Sequence, residues 1–234
     1  MVNKTPLLLV PGLLCTADLW RDQLQALEDV ADMTVAVHHQ QDNVEDIATA
    51  VLKTAPEKFA LAGLSMGGYI ALEIILRAPE RVTHLALIDT RADEDSSEDK
   101  KKRRDFIRLV ERGTTFKGVT QSLLPMLIHP SRFKDEDLTS RIFQMAHEIG
   151  RDGFIRQETA IMNRQDRNAE LSTIECPAIV ISGNEDALIP APHQEEMAGR
   201  IPDAEFHIIP ECGHLPTMER PFETNTLLRD WLSW

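Results

Sequence analysis

Phe59-Ala60-Leu61-Ala62-Gly63-Leu64-Ser65-Met66-Gly67-Gly68 is the stretch whose reading decides the fold. The apolar run Phe59–Ala62 has the length and composition of a strand covered on both faces. Within a few residues it passes into a helical pattern, Met66–Arg77, in which Tyr69, Leu72, Ile75 and Leu76 share one stripe. A strand that turns at once into a helix forces its corner residue into a strained backbone conformation. Glycines two before and two after the corner are required because a Cβ at either would collide. The corner side chain, Ser65, is thereby pushed out alone at the positive end of a helix, where developing negative charge is favoured.

Outward from this corner, short apolar runs alternate with helical patterns, the signature of a parallel sheet wrapped by helices. Strands are expected at Leu7–Val10, Met33–Val37, Phe59–Ala62 and His84–Ile88, with helices at Leu19–Leu27, Val44–Thr54 and Met66–Arg77 between them. After Asp89 the pattern changes. From Arg91 to about Ser172 only helical segments are legible: Ser97–Arg112, Thr115–Ile128, Glu136–Ile149 and Asp152–Asn163. Alternation resumes with a strand Ala178–Ser182, a helix His193–Arg200, a strand Glu205–Ile209 and a helix Phe222–Leu232. The expected organisation is an α/β core built from residues 1–90 and 173–234, interrupted by an all-helical cap at 91–172. In the charge run Asp93 to Arg104, acids lead and bases follow, so it reads as a solvated helix start with Glu98–Lys102 and Asp99–Arg103 pairs rather than as a basic binding patch.

The whole-chain numbers agree with small-molecule chemistry. The 234 residues, 42% hydrophobic and 27% charged, suit a substantial globular unit that needs no disulfide or metal staple. A net charge of −13 repels phosphate backbones, so nucleic acid is not expected as a partner. No apolar stretch is long enough to span a bilayer. Cys15, Cys176 and Cys212 are odd in number and lack C-x-x-C spacing, which fits a reducing compartment and argues against a thiolate metal site. Near the N-terminus, Lys4 precedes the run Leu7–Val10, but Pro11-Gly12 breaks it and a large residue precedes Cys15, so an export signal is not expected and a cytoplasmic location is.

A serine hydroxyl is a poor nucleophile unless a base takes its proton, so the corner implies a histidine delivered to the same sheet edge. Of the eight histidines, His214 stands out, in Glu211-Cys212-Gly213-His214-Leu215-Pro216 after the last expected strand, because ligands of open α/β sheets bind at the carboxyl edge. His38, His39 and His193 are rivals that read better as structural or solvated, and His129 and His147 could at most line a pocket. An imidazole base in turn needs a carboxylate to fix its tautomer. Asp186, in Gly183-Asn184-Glu185-Asp186 after strand Ala178–Ser182, is favoured over Glu185 and Asp89.

The elbow Gly63–Gly67, the turn Gly183–Asp186, Gly213-His214, the chain order Ser65, Asp186, His214 and the cap-like insertion together resemble the α/β-hydrolase superfamily across essentially the whole chain. Within it the chain is similar to small bacterial esterases and lactonases with a helical cap. The resemblance implies an oxyanion hole formed by the backbone N–H groups of Leu13 and Met66. Two departures stand out: Pro11-Gly12 replaces the family's His-Gly, and the family's first two strands have no counterpart, which leaves about six parallel strands. Leu14, Met126, Ile128, Leu188 and Leu215 are candidates for the substrate pocket, and Cys15 reads as a small buried apolar residue. The expected function is a serine hydrolase acting on a small, fairly apolar ester or lactone through an acyl-enzyme, with no cofactor and no metal. Hydrolysis of carbon–carbon bonds, acyl transfer or peracid formation by the same triad is the alternative, as is a non-catalytic ligand receptor on the same fold. Monomer and homodimer are both compatible with the sequence.

Overall fold

A computed structural model describes residues 4–234 of the chain; residues 1–3 of the expected core segment lie outside the described residues. Six strands form one sheet: β1 (Thr5–Val10), β2 (Ala31–Val35), β3 (Phe59–Leu64), β4 (Val82–Ile88), β5 (Ala178–Gly183) and β6 (Glu205–Ile209). Their spatial order is β2-β1-β3-β4-β5-β6 and every neighbouring pair is parallel. Central strands β3 and β5 are buried at every position, as their unbroken apolar runs require. The edge strands β2 and β6 are only partly buried, and their sequences mix polar with apolar residues.

The helices are α1 (Arg21–Ala26), α2 (Val44–Thr54), α3 (Met66–Arg77), α4 (Ser97–Arg112), α5 (Leu124–Leu127), α6 (Glu136–Asn163), α7 (Ala191–Ala198), α8 (Pro216–Glu219) and α9 (Pro221–Trp231). Strand periodicity divides the core into two layers. Leu8, Val10, Phe59, Leu61, Leu85, Leu87 and Val180 point to one face and pack with α2 and α3. Leu7, Leu9, Ala60, Ala62, Leu64, Ile88, Ile179 and Ile181 point to the other, where Trp20, Leu27 and Trp231 close the layer. Helix α3 is buried along nearly its whole length, and its buried charge, Glu73, is paired with Arg77 and Arg167.

Between β4 and β5 the described residues hold helices and no strand, and this helical cap completes an α/β-hydrolase fold. Two expectations here need correction. Thr115–Ile128 is not one helix: Gly118 takes a left-handed φ of 56°, and only a 3-10 turn at Gln121–Leu123 and the single turn α5 follow, with Pro125 tolerated in its first turn. The pair Asp99–Arg103 does not form. Arg103 instead turns inward to Asp95 and Glu158, where Arg164 and Arg91 also meet the fully buried Asp95 carboxylate, each within 2.8 Å. The outer pair Lys102–Glu98 is as expected, at 2.9 Å. The expected helices Glu136–Ile149 and Asp152–Asn163 are the two arms of α6, broken at Gly150 by φ 70° and ψ −177°.

Smaller shifts have local causes. β2 spans Ala31–Val35, not Met33–Val37: the Ala36 N–H makes a last bond to the Leu9 carbonyl, and Val37 is exposed beyond the sheet edge. The helix expected at His193–Arg200 starts earlier, at Ala191, because Pro192 fits a first turn. Among the described residues no helix is long and apolar enough to cross a membrane.

Candidate active site

Ser65 sits between β3 and α3 with φ 55° and ψ −116°, a conformation that L-residues adopt only when their surroundings impose it. The glycine spacing explains itself sterically. A Cβ on Gly63 would lie 2.2 Å from the Gly67 carbonyl oxygen, and one on Gly67 would lie 2.0 Å from that of Val10. The Ser65 N–H donates to the Ile88 carbonyl at 2.9 Å, extending the β3–β4 ladder into the turn, and its carbonyl accepts from the Thr90 hydroxyl at 2.8 Å. The Ser65 hydroxyl itself makes no hydrogen bond among the described residues and the residue is only partly buried, so the Oγ is left available to a ligand.

Asp186 and His214 arrive from the loops after β5 and β6. Asp186 Oδ1 accepts the backbone N–H groups of Leu188 (2.8 Å) and Ile189 (3.0 Å), and its Oδ2 lies 2.8 Å from His214 Nδ1. An acceptor-only carboxylate places the ring proton on Nδ1, which leaves Nε2 bare to act as a base. Burial works against the Asp186 charge, but His214, the Ile189 N–H and Asp89 outweigh it and hold the carboxyl below its usual range. Glu185, the neighbouring rival, points elsewhere: it accepts the Cys212 N–H at 3.0 Å.

Asp89, the other rival, also belongs to this cluster. One oxygen of Asp89, one of Asp186 and one ring nitrogen of His214 lie within 4.8 Å of one another, all three residues being buried. These three could in principle hold a cation. However, Asp186 Oδ1 already serves two N–H groups and Oδ2 the imidazole, so the donor set reads as a hydrogen-bonded array.

Gly12 brings the loop after β1 against the elbow, since a Cβ on it would be 3.4 Å from that of Ser65. In this loop Leu13, like Met66 at the start of α3, has a backbone N–H with no acceptor among the described residues. Leu14 holds a left-handed φ of 59°. His38, which burial holds down at about pKa 4, places Nε2 3.0 Å from the Gly12 carbonyl oxygen and 3.0 Å from Gln157 Nε2 of α6. Gln157 Oε1 accepts the Leu14 N–H at 3.0 Å. The histidine loop is fixed by a second cap contact: His214 N–H donates to the Leu127 carbonyl at 2.9 Å. The buried Glu219 carboxylate gathers the N–H groups of His129 (2.6 Å), Gly213 (3.0 Å) and Leu215 (3.2 Å).

The pocket candidates scatter. Leu14 packs with Ala146, Ile149 and Phe154, whereas Ile128 and Leu215 join the core layer around Cys212. Met126 and Leu188 are 42% and 44% exposed. Cys15 is buried, and burial pushes its thiol up to about 12, so it is an inert neutral group. Sequence reasoning missed Gln157 and Glu219, whose partners lie 143 and up to 90 positions away. A polar residue directly after the apolar run His84–Ile88 is the one signal that marks Asp89.

A parallel sheet of this order, a serine on a strained strand-to-helix corner and an aspartate–histidine pair at the carboxyl edge define an α/β hydrolase. Residues 38–221 match the family model described as alpha/beta hydrolase fold, and the chain belongs to that family. It is 25% identical over 197 residues to pimeloyl-[acyl-carrier protein] methyl ester esterase of Nitrosomonas europaea, covering 77% of this chain and 73% of that protein. It is 28% identical over 208 residues to a 2-hydroxy-6-oxononadienedioate/2-hydroxy-6-oxononatrienedioate hydrolase of Paraburkholderia phymatum, covering 86% and 72%. A thermophilic esterase from Thermogutta terrifontis superposes with a TM-score of 0.88 at 31% identity, covering 99% of this chain and 90% of that one. The enol-lactonase of Burkholderia xenovorans shares the fold, with a TM-score of 0.83 at 21% identity over 99% and 91% of the two chains.

Proposed function

We propose that the protein is a serine hydrolase that cleaves a carboxylic ester or lactone of a small, fairly apolar substrate through an acyl-enzyme. Ser65 Oγ attacks the carbonyl carbon while His214 Nε2 takes its proton. The oxyanion is held by the N–H groups of Leu13 and Met66, each contributing about 3–4 kcal/mol. The proton then passes to the leaving alkoxide, and water, activated by the same imidazole, releases the acid. Asp186 fixes the His214 tautomer and stabilises the imidazolium. In this reading the core segments are 1–90, of which residues 1–3 lie outside the described residues, and 173–234, and residues 91–172 act as a lid; Leu14, Met126, Ile128, Leu188 and Leu215 are the positions whose substitution should alter acyl preference. The three free cysteines support a cytoplasmic setting.

The observation that carries this reading is the 2.8 Å Asp186–His214 bond on the same sheet edge as the strained, unengaged Ser65. The similarity to a 2-hydroxy-6-oxononadienedioate/2-hydroxy-6-oxononatrienedioate hydrolase supports a second reading, in which the same three residues cleave a carbon–carbon bond of a diketone. The test offers chromogenic esters, lactones and diketones side by side to the wild type and to Ser65→Ala. Ester or lactone turnover that the substitution abolishes is the expected result. Turnover of the diketone alone would select the second reading, and near-native ester hydrolysis by Ser65→Ala would overturn both.

A further inference from the structure

Asp89 is fully buried directly after β4, has a left-handed φ of 41°, and places a carboxylate oxygen within 4.8 Å of Asp186 and His214. Its two oxygens are treated unequally. Oδ1 accepts the Gly183 N–H at 2.9 Å and a Gln194 amide hydrogen at 3.0 Å. Oδ2 is buried and has no donor among the described residues. A buried carboxylate oxygen without a donor is costly, and two ionised carboxylates side by side away from water are costlier still. One proton shared by the pair removes both penalties. Asp186 accepts two backbone N–H groups and an imidazole N–H, all of which favour its ionised form. The proton therefore belongs on Asp89, at the oxygen that lacks a donor.

We propose that Asp89 is a neutral carboxylic acid at working pH, whose Oδ2–H faces Asp186 and holds that carboxylate ionised and aligned with His214. Asp89 is thus a positioning residue that acts through Asp186, and the inference rests on the triad reading above. The titratable groups that face it are Asp186 from the loop after β5, and His214 and the buried, neutral Cys212 from the loop after β6; α7 presents the uncharged Gln194. Burial first, and then the neighbouring Asp186 charge, raise the Asp89 carboxyl well above its ordinary range, in the direction the geometry requires.

The test compares Asp89→Asn, Asp89→Val and Asp186→Asn, after fluorophosphonate labelling has established the reactive serine of the wild type and circular dichroism the fold of each variant. Asparagine reproduces the neutral acid, accepting with its oxygen and donating with its amide, so Asp89→Asn should keep kcat within about threefold of wild type. Asp89→Val removes the donor and should lower kcat by about tenfold or more with little change in KM. Asp186→Asn should lose about ten-thousandfold. Infrared difference spectra of wild type minus Asp89→Asn at neutral pH should show the carbonyl stretch of a protonated carboxyl, a band that ionised carboxylates lack. Absence of that band, or an Asp89→Asn loss as deep as that of Asp186→Asn, would overturn the proposal, because either result makes Asp89 an ionised acid. Should Asp89→Val fail to fold, the asparagine variant and the spectrum still decide. Failure of the wild type to label would instead count against the triad reading itself.

Discussion

Leu14 and Gln157, 143 positions apart, are joined by a 3.0 Å hydrogen bond from the Leu14 N–H to the Gln157 side-chain oxygen, so a cap helix fixes the backbone of the loop that follows β1. Leu14 pays for a left-handed φ of 59° that costs about 1–2 kcal/mol, and Gln157 is one of the contacts that holds it there. Since Leu13 precedes it directly, the direction of the Leu13 N–H depends on that anchor. Gln157→Ala should therefore lower kcat on a chromogenic ester by about tenfold to a hundredfold while leaving KM nearly unchanged, the pattern of a lost transition-state contact. A change confined to KM would assign Gln157 to ground-state binding.

Glu219 tests the histidine loop in the same way. Its carboxylate satisfies the N–H groups of His129, Gly213 and Leu215, two of them in the loop that carries His214 and one in the cap. Glu219→Ala leaves three donors unpaired, those of Gly213 and Leu215 buried, and should destabilise the fold by about 3–5 kcal/mol in a denaturant titration. Glu219→Gln, which keeps one carbonyl oxygen, should cost distinctly less. Equal losses for the two would show that charge, not hydrogen bonding, holds the loop.

His38 sets an acid limit on stability. Burial lowers its folded-state pKa from 6.5 to about 4. Between these two values the unfolded chain binds a proton that the folded chain refuses, so stability falls as the pH drops from 6.5 towards 4, by about 3 kcal/mol in all. Below about 4 this contribution is spent, and above 6.5 it is constant. Chemical denaturation across that window should show His38→Gln with a shallower acid slope than the wild type. Parallel slopes would mean that His38 titrates no differently in the folded chain.

How far these features could be read from the sequence follows from the range of the forces that set them. The elbow at Ser65 was legible because its constraint is local: the collisions that forbid Cβ atoms at Gly63 and Gly67 involve the corner itself and the strand beside it. The fully covered strands β3 and β5 were legible through their unbroken apolar runs. The half-exposed edge strand β2 slipped by two residues, since its mixed pattern Ala31-Asp32-Met33-Thr34-Val35 carries a weaker signal. Around Thr115–Ile128 the glycine and prolines won over helical spacing. Gln157 and Glu219 left no trace in the sequence, because each acts on backbone groups that only tertiary folding brings near. Arg103 looked like a surface cation for the same reason, its partner Glu158 being 55 positions away.

The most direct measurement is to trap the intermediate. A rapidly quenched reaction with a slowly deacylated chromogenic ester, digested and weighed by mass spectrometry, should place the acyl group on the peptide that contains Ser65. The adduct should form far more slowly with His214→Ala, which lacks the base that activates the serine, and not at all with Ser65→Ala, whose turnover should fall about a millionfold. Ester hydrolysis by Ser65→Ala at a rate near that of the wild type, or an acyl group found on another residue, would contradict the account.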